Sequence, residues 1–162
     1  MAASTATIRL GLEADAPVLA ALSRDTIEAG LPWRYREPEM LRFMRSPRYN
    51  VVVAAMPGIE GTGPIAGFAV MGYGETEAYL ALLAVSPIMQ QRGIGRQLVE
   101  WLIATADVAG VETISVELRE DNTHARKLYE SLGFTPTGQR PGGYYGVVNQ
   151  NRMRLRLRPS PP

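Results

Sequence analysis

The strongest functional signal in the chain is the stretch Val85-Ser86-Pro87-Ile88-Met89-Gln90-Gln91-Arg92-Gly93-Ile94-Gly95-Arg96-Gln97-Leu98. An apolar run ends at Val85 and predicts a buried strand, and the apolar spacing after Ile94 predicts a helix. The first N–H groups of a helix lack intrahelical partners and lie at its positive end, so this arrangement can bind phosphate. Gly93 and Gly95 have no Cβ, which lets an anion approach the backbone. The sequence therefore predicts a pyrophosphate site.

The composition predicts one soluble domain over residues 1–162, with frayed tails at 1–5 and 159–162. Apolar residues make up 46% of the chain, and no apolar run approaches the roughly 20 residues of a membrane helix. The first residues lack the features of a signal peptide, so a cytoplasmic location is expected. A net charge of +1 favours neither nucleic acid nor a membrane as partner.

The absence of cysteine excludes a cysteine nucleophile and thiolate metal ligands. His124 is the single histidine, so a site built from several histidines is also excluded, and no metal is expected.

Strands and helices alternate through the middle of the chain, which predicts a mixed α/β sheet with helices on both faces. We expect strands at 7–10, 49–56, 65–74, 79–85, 111–119 and 151–158. We expect the main helices at 94–110 and 122–131, and the segment 137–145 is predicted to be a loop because it shows little pattern.

Three kinds of phosphate loop can be compared with the glycine stretch. A nucleoside-triphosphate loop needs Gly-Lys-Ser/Thr, and the stretch contains no lysine. A dinucleotide loop needs a third glycine, where this chain has Leu98. The pattern that remains is Gln90-x-x-Gly93-x-Gly95, and by itself it could also be a tight turn before an ordinary helix.

Further segments make the chain resemble the GNAT superfamily of acyl-CoA-dependent N-acyltransferases. They are Leu83-Ala84-Val85-Ser86-Pro87, Val116-Glu117-Leu118-Arg119, Asn122-x-x-Ala125, Leu128-Tyr129-Glu130 and Gly133-Phe134. Their order and spacing are most similar to the ribosomal-protein-alanine N-acetyltransferase subfamily, over about residues 65–145. The resemblance implies a mixed, mostly antiparallel sheet of six or seven strands with helices on both faces.

The resemblance also implies acetyl-CoA as the cofactor and a set of residues that bind it. The main chain of Leu83, Ala84 and Val85 would bind the pantetheine. The other residues of the implied cofactor site are Gln90, Gln91, Arg92, Gly93, Ile94, Gly95, Arg96, Asn122 and Tyr129. Asn122 is equally suited to be the N-cap of its helix, and the two roles are compatible.

Two catalytic residues follow from the same resemblance. Tyr129 matches the tyrosine that protonates the departing CoA thiolate, and a core-packed tyrosine is the alternative. Glu117 matches the glutamate that serves as base in N-terminal acetyltransferases; the alternative is a solvated carboxylate paired with Arg119 or Arg126. Glu77 and a water chain also stay open as the base. Without a cysteine nucleophile, direct transfer within a ternary complex is the simplest mechanism.

The acceptor is the least determined part of the prediction. Trp33, Tyr144 and Tyr145 are candidate substrate residues because their segments border the acceptor site in this fold. A protein N-terminus, a small amine or amino acid, and a catalytically idle acyl-CoA-binding regulator all stay open, and so does a homodimer. The arginines that alternate along residues 152–158 form either a solvated strand face or a cluster that binds an acidic partner.

Overall fold

The computed structural model describes residues 6–58, 63–144, 146 and 148–159, with the backbone alone for Tyr144. Seven strands and four α-helices lie within these ranges. The strands are β1 (Thr7–Leu10), β2 (Tyr49–Ala55), β3 (Ile65–Tyr73), β4 (Glu77–Val85), β5 (Thr113–Arg119), β6 (Thr135–Tyr144) and β7 (Val148–Arg156). The helices are α1 (Ala16–Asp25), α2 (Glu37–Arg45), α3 (Ile94–Ala109) and α4 (Thr123–Ser131).

The seven strands form one sheet in the order β1-β2-β3-β4-β5-β7-β6. Of the neighbouring pairs in the described residues, only β4 and β5 run parallel. The expected mixed, mostly antiparallel sheet is therefore confirmed. Its one parallel pair lies in the middle, between the strand before the glycine loop and the strand that carries Glu117.

Each face of the sheet has its own hydrophobic core. Along β2, Val51 and Val53 face a core built with Leu19 of α1 and Met40 of α2. Val52 and Ala54 face the opposite core, which α3, Tyr129 and Phe134 complete. This alternation is the normal consequence of the two-residue period of a strand, and it confirms that helices cover both faces.

The structure corrects the prediction for residues 137–145, because the segment up to Tyr144 belongs to strand β6 rather than to a loop. β6 is an edge strand that pairs only with β7 among the described strands. Its side chains from Thr135 to Pro141 are exposed, so the sequence has no reason to alternate apolar and polar residues. An edge position also tolerates the prolines that argue against a central strand.

Candidate active site

A β-bulge at Ala81 disturbs the middle of β4. Val70 of β3 pairs with Leu82, and the next residue, Met71, pairs with Leu80, so Ala81 is the extra residue. Leu80 packs in the core beside α3, whereas Leu82 packs in the core beside α1 and α2. Residues two apart in a regular strand share a face, so the bulge turns β4 over at this point.

The sheet opens directly after the bulge. The parallel ladder between β4 and β5 ends at the pair Leu80 and Val116. A groove of about 790 Å³ lies beyond this pair, lined by the rest of β4 and by residues 116–119 of β5. Main-chain groups of β4 on this side are therefore available to a ligand.

The hydrogen bonds to β3 show which main-chain groups face the groove. Ser86 N–H donates to the carbonyl oxygen of Ala66 on β3 at 2.7 Å. Because successive peptide groups point to opposite sides of a strand, those of Val85 and Leu83 face the groove and those of Ala84 face β3. The Val85 oxygen accepts a hydrogen bond from the Gln90 amide at 3.2 Å, which ties the strand to the loop.

The glycine loop leaves main-chain N–H groups without helical acceptors beside the groove. Gln91 and Gly93 both have positive φ angles, 64° and 79°. A Cβ at Gly93 would meet no protein atom within 4 Å, so the glycine is required by its backbone angle and not by crowding. The first intrahelical bond of α3 runs from Gln97 N–H to the Gly93 oxygen. The three preceding N–H groups, on residues 94–96, therefore have no intrahelical acceptor.

Most of the residues predicted to bind the cofactor line this groove. They are Leu83, Ala84, Val85, Gln90, Gln91, Gly93, Ile94, Gly95, Arg96, Asn122 and Tyr129. Arg92 is exposed and is not among the lining residues. The Arg96 guanidinium bonds to Glu100 at 2.9 Å and to the Ser131 hydroxyl at 2.7 Å, which fixes it over the junction of α3 and α4.

Helix α4 supplies the far wall of the groove. The Asn122 side chain accepts the Ala125 N–H at 3.1 Å and so caps the helix, as the sequence predicts. Tyr129 is 3% exposed and packs on Phe134 with 5.3 Å between ring centres. The core thus holds the Tyr129 ring in place, and the same side chain also lines the groove.

A second cavity, which we call the acceptor cavity, has a volume of about 760 Å³ and adjoins the groove. Four residues line both spaces: Leu80, Ala81, Val116 and Glu117. The two spaces therefore meet where the β4–β5 ladder ends, and Glu117 is the ionisable side chain at that junction.

Four tyrosines line the acceptor cavity: Tyr35, Tyr49, Tyr73 and Tyr79. The hydroxyls of Tyr49 and Tyr79 lie 2.5 Å apart. Burial, with the hydrogen bond to Tyr49, raises the pKa of Tyr79 to about 12. Tyr79 is therefore a neutral hydroxyl at physiological pH and contributes hydrogen bonding without charge.

Glu117 is ion-paired, but not with the arginines that the sequence suggests. Arg152, its neighbour across the β5–β7 ladder, donates a hydrogen bond to it, and Gln150 donates another at 2.6 Å. Arg119 instead pairs with Asp121, and Arg126 lies 4.0 Å from Glu130. The Glu117 carboxylate raises the pKa of Arg152 by its hydrogen bond and its charge.

The predicted substrate residue Trp33 does not line the acceptor cavity. Two guanidinium groups lie over its ring, with that of Arg36 at 4.3 Å and that of Arg24 at 5.3 Å from the ring centre. The next two residues, Arg34 and Tyr35, line the cavity in its place. The side chain of Tyr144 and all of Tyr145 lie outside the described residues.

A buried carboxylate holds the segment between α1 and α2 against both spaces. Glu28 is 1% exposed and accepts the Ser23 hydroxyl at 2.9 Å and the Arg34 N–H at 2.6 Å. Ala29, beside it, accepts a hydrogen bond from Arg119 of β5 at 2.9 Å. No sequence pattern predicts this contact, because Glu28 resembles an ordinary helix-surface residue.

Two features are absent from the described ranges. No helix there is both long and apolar enough to cross a membrane. No three His, Cys, Asp or Glu side chains of the same ranges are grouped as metal ligands would be.

The sheet opens between two parallel strands beside a phosphate-type loop, and this opening joins a second cavity. This is the architecture expected of an acyl-CoA-dependent acyltransferase. The chain belongs to the acetyltransferase (GNAT) family, whose model matches residues 19–134. The family predicted by the glycine loop and the downstream segments is therefore confirmed.

The relatives extend the same assignment. The [ribosomal protein bS18]-alanine N-acetyltransferase of Escherichia coli is 44% identical over 72 residues, covering 44% of this chain and 49% of that protein. The chain thus spans about half the length of the first curated relatives it matches. The N-alpha-acetyltransferase RimI of Mycobacterium tuberculosis is 32% identical over 96% of both chains.

Solved structures agree with the fold. The ribosomal-protein-S18-alanine N-acetyltransferase of E. coli superposes with a TM-score of 0.81 at 29% identity, over 97% of both chains. The yncA protein of Salmonella typhimurium, solved with its cofactor acetyl-CoA, has a TM-score of 0.81 at 23% identity, over 98% of both chains. At that identity the second likeness concerns the fold alone.

Proposed function

We propose that this protein is an acetyl-CoA-dependent N-acetyltransferase that acts on a primary amine by direct attack in a ternary complex, on a single domain spanning 1–162. The observation that carries the proposal is the junction of groove and acceptor cavity at Ala81 and Glu117. A donor entering from one side and an amine entering from the other would meet there. A cytoplasmic location and a homodimer stay predictions.

The groove fits acetyl-CoA. Residues 94–96 offer N–H groups at the positive end of α3, which suits a pyrophosphate. The space beside Gly93 is empty of protein atoms, so phosphate oxygens can approach the backbone. The main-chain groups of Leu83 and Val85 can pair with pantetheine amides in the manner of an added strand.

Glu117 at the junction and Tyr129 in the groove can carry out the proton transfers. Bound acetyl-CoA supplies a thioester carbonyl, which a neutral amine attacks to form an amide and release the thiolate. A main-chain N–H of β4 close to the junction would stabilise negative charge on the carbonyl oxygen. Glu117 takes the proton from the amine, since a carboxylate with two donors still has lone pairs to offer. Tyr129 donates its hydroxyl proton to the sulfur.

The acceptor that we propose is a protein N-terminus, as the names of the relatives suggest. An α-amino group has a pKa near ~8 and is more often neutral at physiological pH than a lysine side chain near ~10.4. A small amine or amino acid is the second candidate, and a non-catalytic acyl-CoA-binding regulator is the third.

A thiol-release assay with acetyl-CoA over N-terminal peptides, free amino acids and small amines tests these three. We expect thiol release only when an N-terminal peptide is present as the acceptor. Release only with small amines or amino acids would support the second candidate. Silence across the panel while acetyl-CoA still binds would identify the regulator and overturn the proposal.

Replacing Glu117 by glutamine will slow acetylation most at low pH. An α-amino acceptor is largely protonated below its pKa of ~8 and needs a base there. We expect a rate loss of at least about tenfold at pH 6.5 that shrinks steadily toward pH 9. The measurement is the pH profile of kcat/KM.

Glu120→Gln is the matched control for this profile. Glu120 follows β5 directly and accepts hydrogen bonds from Gln139 and Asn149, but it lines neither space. It should keep the parent profile. If Glu117→Gln also keeps the parent profile, Glu117 is not the base.

A further inference from the structure

The acceptor cavity carries an excess of positive charge. Four guanidinium groups and two carboxylates line it, an excess of two positive charges: Arg34, Arg48, Arg152, Arg154, Glu77 and Glu117. The other lining residues are uncharged at neutral pH. A cavity with such a balance attracts an acidic ligand and repels a basic one.

Both carboxylates of the cavity are already engaged at its β7 side. Glu117 is bonded to Arg152, and Glu77 lies 3.8 Å from Arg154. Arg48 stands at the opposite side, directly before β2. No carboxylate of the described residues lies within salt-bridge distance of its guanidinium.

The separation between Arg48 and the junction sets the length of the ligand. The strand order β2-β3-β4-β5 places three strand spacings between Arg48 and Glu117, roughly 14 Å at ~4.8 Å each. The register places Glu117 three residues further along the strands, roughly 10 Å at ~3.3 Å each, so the two backbones lie roughly 17 Å apart and the long side chains shorten that gap. An extended peptide advances about 3.3 Å per residue. The side chain of its second or third residue therefore reaches Arg48 when its amine is at Glu117, whereas the carboxylate of a free amino acid does not.

The floor between these two points suits a peptide of this kind. The hydroxyl pair of Tyr49 and Tyr79 lies on the way, and Tyr79 keeps its proton at physiological pH. This hydroxyl pair thus offers hydrogen bonds and adds no negative charge of its own that would oppose an acidic side chain.

We infer that the acceptor is a peptide N-terminus with an acidic side chain at its second or third residue, and that Arg48 binds this side chain. The inference rests on the proposed function and adds the class of acceptor to it. Arg48 is a specificity-determining residue here and takes no part in the proton transfers.

The test compares tetrapeptides that differ only at residue 2 or 3: glutamate, glutamine or lysine, with free glutamate as a further acceptor. We expect kcat/KM to be about 5- to 10-fold higher for the glutamate peptide than for the glutamine peptide, and lowest for the lysine peptide. The difference should shrink in high salt because screening weakens the ion pair. The inference is overturned if kcat/KM is equal for all three peptides. It is also overturned if the lysine peptide or free glutamate reacts faster than the glutamate peptide.

A charge-reversal variant distinguishes the effect of Arg48 from the effect of the protein's net charge. Arg48→Glu should invert the order of the glutamate and lysine peptides, chiefly through KM. Arg42→Glu makes the same change in net charge on α2, away from the cavity, and should keep the parent order. A parent-like order in Arg48→Glu would overturn the role of Arg48.

The two levels of the proposal fail in different ways. If no peptide releases thiol from acetyl-CoA, the proposed function fails. If peptides are acetylated without regard to charge, the acetyltransferase stands and only the acidic acceptor is lost.

Discussion

Replacing Gly93 by valine will weaken acetyl-CoA binding by at least about 100-fold in calorimetry. The valine Cβ occupies space that only the ligand would fill, because no protein atom lies within 4 Å of it. A β-branched residue also resists the φ of 79°. Losing two charge-assisted hydrogen bonds of ~1.5–3 kcal/mol each already accounts for a loss of this size.

Gly110→Val is the matched control, because it is the same substitution at the other end of α3. Gly110 has a φ of 86° and the same open space around its Cβ, but it does not line the groove. Both variants should lose about 1–2 kcal/mol of stability from backbone strain. Only Gly93→Val should lose acetyl-CoA; equal affinity in the two variants would refute the pyrophosphate assignment.

Helix α3 and strand β5 could be predicted from the sequence because their apolar residues recur with the helical or the strand period. Ile94, Leu98 and Leu102 follow the helical period, and all three are buried. Ile114 and Val116 alternate with polar residues and are buried as expected. Strand β6 carries no such signal, because hydrogen bonds from β7 hold it and its side chains from Thr135 to Pro141 face solvent.

The opening of the sheet could not be predicted from β4 alone. The bulge at Ala81 is a property of the register between β3 and β4. The residue pattern of one strand does not show how that strand is aligned with its neighbour. The apolar run on both faces of β4 is consistent with it, since Leu80 and Leu82 enter opposite cores. The same run would also fit a regular buried strand.

The two halves of the site differ in how far the sequence could define them. The cofactor groove is built largely from continuous segments, so nearly all of the cofactor residues that the motifs predict line it, with Arg92 as the exception. The acceptor cavity is assembled from side chains far apart in sequence, such as Tyr35, Tyr79 and Arg152. Only the tertiary fold brings them together, and the roles of all these residues stay predictions.

Replacing Tyr129 by phenylalanine will lower kcat by about 100- to 1,000-fold and leave the affinity for acetyl-CoA within about twofold. The ring is 3% exposed and packed on Phe134, so phenylalanine keeps the packing and removes only the hydroxyl. A thiolate that leaves without a proton donor must wait for solvent to protonate it. General acid catalysis is typically worth 10²–10⁴ in rate.

His124→Gln is the control that makes the Tyr129 result specific. His124 lines the same groove and is exposed, so its imidazole is an alternative proton donor to the thiolate. It should keep kcat within about twofold. Thiol release under saturating acetyl-CoA and peptide gives kcat, and calorimetry gives the affinity. Parent-like kcat in Tyr129→Phe would remove Tyr129 as the acid, and a large loss in His124→Gln would transfer that role to the histidine.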